Sequence, residues 1–357
     1  MLATIEITTY HWAGFIAVVL LFLALDLGVF HREAHEVTFK EAMGWTTLWF
    51  CLSMLFARLL VPVSGKEAAL EFVTGYIIEL SLSMDNVFVI ALIFAYFRVP
   101  IAYQHRVLFW GIMGALIMRG IMIGVGAVLI QKFEWLLYVL GAFLIYTGFK
   151  MIFSEDEAPH PEKNPVIRLA KKIYPVSHEF DGQRFFTQLN GVRALTPLAL
   201  VLLMVETTDL IFAFDSIPAI FAVTKDPFIV FTSNVFAILG LRSLYFVLAG
   251  MIKYFAYLKT GLSFVLVFIG LKMLTKRDEH AEDPDWYEIG IPTGVSLAVV
   301  ATIIVLSIVF SVITAWRERR KNEKNGKSGS DDKNGKDGDG SDSNKDKTDV
   351  APPKAAS

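Results

Sequence analysis

The chain has 357 residues, 54% of them hydrophobic, and a formal net charge of −2. The apolar residues fall in long blocks between short polar ones, which excludes a soluble globular domain and marks a polytopic, all-α membrane protein. Cys51 is the only cysteine, so intramolecular disulfides, zinc-thiolate sites, Cys-ligated iron–sulfur clusters and CxxC redox pairs are excluded.

Windows of about 20 residues predict about nine transmembrane spans. They lie near His11–Phe30, Met43–Pro62, Leu70–Tyr96, Val107–Ile130, Phe133–Phe153, Leu195–Val223, Phe228–Ile252, Leu258–Leu274 and Ile289–Trp316. The first lacks a basic leader and a small-residue cleavage site, so no cleaved signal peptide is expected. The eighth is short and bordered by Lys259 and Lys272, which can snorkel. Trp45, Trp49, Trp110 and Trp135 sit near span ends as interfacial belts do. In the fourth span Gly111, Gly114, Gly120, Gly124 and Gly126 predict close helix packing, with GxxxG-type spacing at Gly120 and Gly124.

Basic residues divide the loops into two sets. One carries Arg32, Lys40, Arg98, Arg106, Lys163, Arg168, Lys171, Lys172, Arg184, Arg193 and the run from Arg317 to Lys321. The positive-inside rule then places the N-terminus outside and the C-terminus in the cytoplasm. The domain reading is two N-terminal spans (1–69), a three-span unit (70–153), a cytoplasmic loop (154–194), a second three-span unit (195–275), a last span (276–320) and a disordered tail (321–357). Within the loop, the basic run Arg168-Leu169-Ala170-Lys171-Lys172 and the turn pairs Asp181-Gly182 and Asn190-Gly191 predict a small helix followed by a hairpin.

The two units repeat an ordered set of features. Asp85-Asn86 matches Asp215-Ser216, each preceded six residues earlier by an acid, Glu79 or Asp209. A loop with proline follows, then a span with one arginine, Arg119 or Arg242, and each unit closes on Gly-x-Lys-Met, at Gly148 and Gly270. Because three spans are an odd number, the second unit enters from the opposite side, which is the inverted-repeat plan of secondary transporters.

Acids in such spans are costly, roughly 2.5–3.5 kcal/mol for an Asp at the bilayer centre, and by default mark a polar cavity or ion path. Six residues of helix rotate by about 600°, leaving Glu79 and Asp85 about 120° apart. A local break, favoured by Ser81 and Ser83, would bring them together. In the second unit Pro218 frees the carbonyl of Phe214, and Glu206 shares a face with Asp209. The candidate ligands Glu79, Asp85, Asn86, Glu206, Asp209, Asp215 and Ser216 are all oxygen donors, which suits a hard divalent cation such as Mn²⁺, Mg²⁺ or Ca²⁺. Arg119 and Arg242 are read as charge-balancing or gating groups, and Asp26 as an interface anchor or a path entrance. The competing reading is that the acids only hold helices together through those arginines.

The stretches Glu79-Leu-Ser-Leu-Ser-Met-Asp-Asn86 and Glu206-Thr-Thr-Asp-Leu-Ile-Phe-Ala-Phe-Asp-Ser-Ile-Pro-Ala219, with Gly240-Leu241-Arg242 and Gly270-Leu271-Lys272-Met273, resemble the TerC family of bacterial inner-membrane proteins, its Alx branch in particular. The resemblance covers roughly residues 10 to 320. It implies a role in manganese export and metal homeostasis, with older associations to tellurium resistance and membrane redox modulation, and carries Mn²⁺ onto the candidate ligands. The expected function is a non-enzymatic inner-membrane transporter with Mn²⁺ as transported ion, no prosthetic group and no nucleic-acid partner. The alternatives are a non-transport factor for protein assembly or stress response, and a redox modulator. Counting Asp26, Glu79, Asp85, Glu206, Asp209 and Asp215 against Arg119 and Arg242 leaves an excess of four negative charges, from which proton coupling is expected.

Overall fold

The computed structural model describes residues 8–25, 38–153, 161–189, 191–249, 257–275 and 291–331, so Asp26 lies outside the described residues. The helices are α1 (Thr9–Leu25), α2 (Phe39–Tyr96), α3 (Ile101–Lys132), α4 (Leu136–Phe153), α5 (Pro165–Ile173), α6 (Pro197–Phe221), α7 (Pro227–Ala249), α8 (Leu258–Leu274) and α9 (Thr293–Asp331). Among the described residues six helices, namely α2, α3, α4, α6, α7 and α9, are long and apolar enough to cross a membrane. The architecture is that of an all-α membrane protein. Two compact units divide it, Met1–Val312, which holds the site described below, and Ile313–Ser357. α9 continues to Asp331, past Lys321 where a disordered tail is expected, although Asn, Gly and Ser in that stretch are poor helix formers.

α2 is 58 residues long, about 87 Å at the rise of an α-helix, and a hydrocarbon core is about 30 Å thick. Its one break is at Gly65, with φ 92° and ψ 173°, a conformation that favours glycine. Beyond it the helix is regular to Tyr96. The break expected between Glu79 and Asp85 is therefore absent: Ser81 donates to the carbonyl of Ile77 at 2.6 Å without interrupting the helix. α6 likewise runs through Pro218 to Phe221.

The loop before α6 has the expected helix and hairpin. Asn164 caps α5 by accepting from the N–H groups of Val166 and Ile167, and Pro165 occupies the first turn. Strands β1 (Phe186–Leu189) and β2 (Val192–Leu195) pair antiparallel with Phe186 opposite Leu195. Thr196 then caps α6 through its side chain while its Oγ1 donates to the carbonyl of Arg184 at 2.7 Å, so the hairpin is fastened to the start of α6.

α2 packs chiefly against α7 and α4 against α8, while α3 lies against both α6 and α7. The α4–α8 contact is reciprocal. A Cβ built at Gly148 would lie 2.8 Å from the Ser263 carbonyl oxygen and 2.7 Å from the Val267 side chain. One built at Gly270 would lie 2.7 Å from the Gly141 carbonyl oxygen and 2.7 Å from the Ile145 side chain. Ser263 and Val267 precede Gly270 by the same intervals as Gly141 and Ile145 precede Gly148, so the two contacts are one contact with the roles exchanged. In α3 the expected close packing is found at Gly111, Gly114 and Gly126, against Val205, Glu206 and Phe221 of α6, whereas nothing lies within 4 Å of a Cβ at Gly124. Gly148→Val should therefore lower the thermal unfolding temperature, with an overpacking cost of about 1–3 kcal/mol. Gly124→Val should leave it nearly unchanged; equal shifts would show that the α4–α8 contact is not what makes glycine necessary.

Candidate functional site

The repeated acids are gathered pairwise, at two places. Because α2 and α6 stay regular, residues six apart face about 120° away from each other, and the first acid of each unit reaches one environment while the Asp reaches another.

The first place is centred on Arg119 of α3, which is 2% exposed. Its Nη1 donates to Oε1 of Glu79, a residue with no exposed surface, and to Oδ1 of Asn234 at 2.7 Å and Oγ of Ser216 at 3.3 Å. Its Nη2 and Nε donate to the two carboxylate oxygens of Asp209, at 3.1 and 3.4 Å. The guanidinium fork thus joins α2, α3, α6 and α7, and takes the first acid of both repeats. Ser216 follows Asp209 by seven residues, which returns it to within about 20° of the same helical face. Oε2 of Glu79 is buried without a hydrogen-bond partner. Glu206 lies beside this network against α3, its carboxylate occupying the space that a Cβ at Gly114 would fill.

The second place is a cavity of about 210 Å³ lined by α2, α4, α6 and α8. Asp85 and Asp215 both line it, as do Leu82 and Phe212, each three residues before its aspartate. Asn86 also lines it, is 3% exposed, and has a buried Oδ1 that accepts no hydrogen bond. Lys150 and Lys259 enter from α4 and α8, and Asp215 is hydrogen-bonded to Thr147 and faces Lys150. Two carboxylates, a carboxamide oxygen and two ammonium groups therefore share one polar space inside an apolar bundle. Among the described residues no three His, Cys, Asp or Glu side chains form a ready metal cluster, so the cavity offers at most two carboxylates to a cation.

Arg242 is elsewhere. It lines a small cavity with Trp45, Trp49 and Ser243, where α1, α2, α3 and α7 meet, and shares neither place with the repeated acids. Trp45 and Trp49 thus face an internal space, whereas Trp110 and Trp135 are 47% and 61% exposed.

Sequence reasoning missed Asn234, Thr147, Lys150 and Lys259. Lys150 had a signal, the Gly-x-Lys-Met repeat, and Asn234 had one too, an amide inside an apolar span. Lys259 is indistinguishable in sequence from a snorkelling end residue.

The chain matches the family described as integral membrane protein TerC family over residues 64–322. An uncharacterized membrane protein of Myxococcus xanthus is 53% identical over 302 residues, covering 85% of this chain and 92% of its own length. A protein of Escherichia coli K12 named "Putative membrane-bound redox modulator Alx" is 46% identical over 321 residues, covering 87% of this chain and 96% of its own. An uncharacterized membrane protein of Rickettsia bellii is 39% identical over 302 residues, covering 85% and 97%. No solved structure matches the chain.

Proposed function

The chain belongs to the TerC family of integral membrane proteins, and from that premise we propose that it is a secondary transporter exporting Mn²⁺. The observation that carries this reading is the cavity in which Asp85 and Asp215, the matched aspartates of the two repeats, meet beside the unpartnered Oδ1 of Asn86. Carboxylate and carboxamide oxygens are the donors a hard divalent cation takes up, with water completing its coordination. We take Asp85, Asp215 and Asn86 as the direct ligands. Glu79, Asp209 and Ser216 form the Arg119 network that fixes α2 and α6, and Glu206, beside that network, is taken as a site for a counter-moving proton.

In this proposal the chain crosses the membrane nine times: α2 counts as two spans divided at Gly65, and α1 and α8 are spans of 17 residues each. Two inverted three-helix units follow from this order. They are supported by the exchanged contacts at Gly148 and Gly270. With the N-terminus outside, Lys150 in the last turn of α4 and Lys259 in the first turn of α8 both lie at the cytoplasmic ends of their helices. A cysteine placed at Ser177, in the loop between α5 and β1, should then resist a membrane-impermeant thiol reagent in whole cells and react after permeabilisation. Ready labelling in intact cells would reverse the orientation.

The test of function is Mn²⁺ uptake by proteoliposomes holding the purified protein, with and without an imposed pH gradient. Uptake above protein-free liposomes is expected, and its stimulation by the gradient tests proton exchange. A protein that only assists assembly moves no ion. The relatives' redox name suggests a second reading, but one cysteine cannot form an intramolecular disulfide, and Cys51 stands exposed on α2 with no second thiol to pair with.

A further inference from the structure

Resting on the reading of Asp85, Asp215 and Asn86 as a cation site, we propose that Lys150, with Lys259, is a built-in counter-ion that occupies the aspartates when the metal is absent and must withdraw when it binds. Two unlike facts about the cavity motivate this. Its oxygens suit a divalent cation, and the unpartnered Oδ1 of Asn86, on a residue only 3% exposed, shows an acceptor waiting for a ligand. Its charges, however, already balance: Asp85 and Asp215 face two lysines. A divalent cation added beside both ammonium groups would leave the cavity doubly positive in an apolar bundle, which the low local dielectric strongly disfavours. One divalent cation carries the charge of two ammonium groups, so exchanging one for the other keeps the cavity neutral in both states.

The placement suits such an exchange. Lys150 faces Asp215 from the last turn of α4 and is exposed, so its flexible four-carbon stem can withdraw the ammonium from the aspartate by rotamer change. Lys259 lies in the first turn of α8, at the same end. The arrangement also alters the charge argument for proton coupling. Counting Lys150 and Lys259 halves the excess of four negative charges, and within the cavity lysines, not protons, neutralise the vacated aspartates.

The two lysines act as competitors of the metal, and that predicts a gain on removing one. Mn²⁺ binding to the purified full-length protein should be measured calorimetrically for wild type, Lys150→Met, Lys150→Arg, Lys259→Met and Asp215→Asn. Lys150→Met should bind Mn²⁺ on the order of tenfold more tightly than wild type, since a competing positive charge has been removed from beside the aspartates. Its transport in proteoliposomes should slow, because nothing replaces the departing metal. Lys259→Met should behave likewise, and Lys150→Arg, which keeps the charge, should match wild type. Unchanged or weaker binding in both methionine variants overturns the counter-ion role. Wild type that binds, with Asp215→Asn that does not, keeps the site reading intact in that event. Wild type without Mn²⁺ binding overturns the site and the counter-ion together. The tightening is the diagnostic readout, since loss of a purely structural lysine weakens binding.

Discussion

Asp215→Asn is expected to reduce Mn²⁺ uptake by proteoliposomes to the level of protein-free liposomes while leaving the amount of protein in the membrane unchanged. The substitution preserves size and shape and removes one of the two carboxylates facing the cavity. Divalent affinity is set by the number of charged ligands, so losing one of two is a large loss. The residue is also not part of the Arg119 network, and its removal breaks no guanidinium contact. Asp85→Asn should give the same result, since α2 presents it to the same cavity. The paired outcome is the useful one. If the two variants retain transport, the cavity is not the path; if both vanish from the membrane, the aspartates are structural.

The opposite separation is expected for Arg119→Met. Here the protein itself should be lost or its unfolding temperature sharply lowered, because Glu79 has no exposed surface and its partner is gone. Removing one member of a buried ion pair typically costs about 3–5 kcal/mol, chiefly through the charge left behind. Asp209 and Asn234 lose a donor at the same time. Adding Glu79→Gln to Arg119→Met should restore part of the stability, since the orphaned charge is then absent, and Arg119→Lys should restore less than the wild-type value because an ammonium cannot serve acceptors on three other helices in one plane. Detergent-solubilised protein followed by thermal unfolding gives the comparison directly. Wild-type stability in Arg119→Met would show that the network does not hold α2, α6 and α7 together.

The contrast between these two experiments marks where sequence stopped being informative. Hydropathy and the residue inventory determine that this is an all-α membrane protein, because apolar blocks of about 20 residues span lipid as helices that satisfy their own backbone polar groups. The local chemistry of Asn164-Pro165 and of the Asn190-Gly191 turn determines the small helix and hairpin, since caps and tight turns depend on neighbours in the chain. The repeat, too, is legible, and with it the pairing of Glu79 with Asp209 and of Asp85 with Asp215 as candidates. Which of those acids share a place was decided by tertiary structure. A break in α2 would have gathered Glu79 and Asp85; the regular helix separates them, and packing of α2 against α6 and α7 gives the first acids to Arg119 while α4 and α8 close a different cavity around the second. Lys150 and Lys259 reach that cavity from helices distant in sequence; Lys150 is marked by the Gly-x-Lys-Met repeat, but nothing local distinguishes Lys259 from a lysine that snorkels outward, because the direction is set by what the neighbouring helix offers and not by the residues on either side.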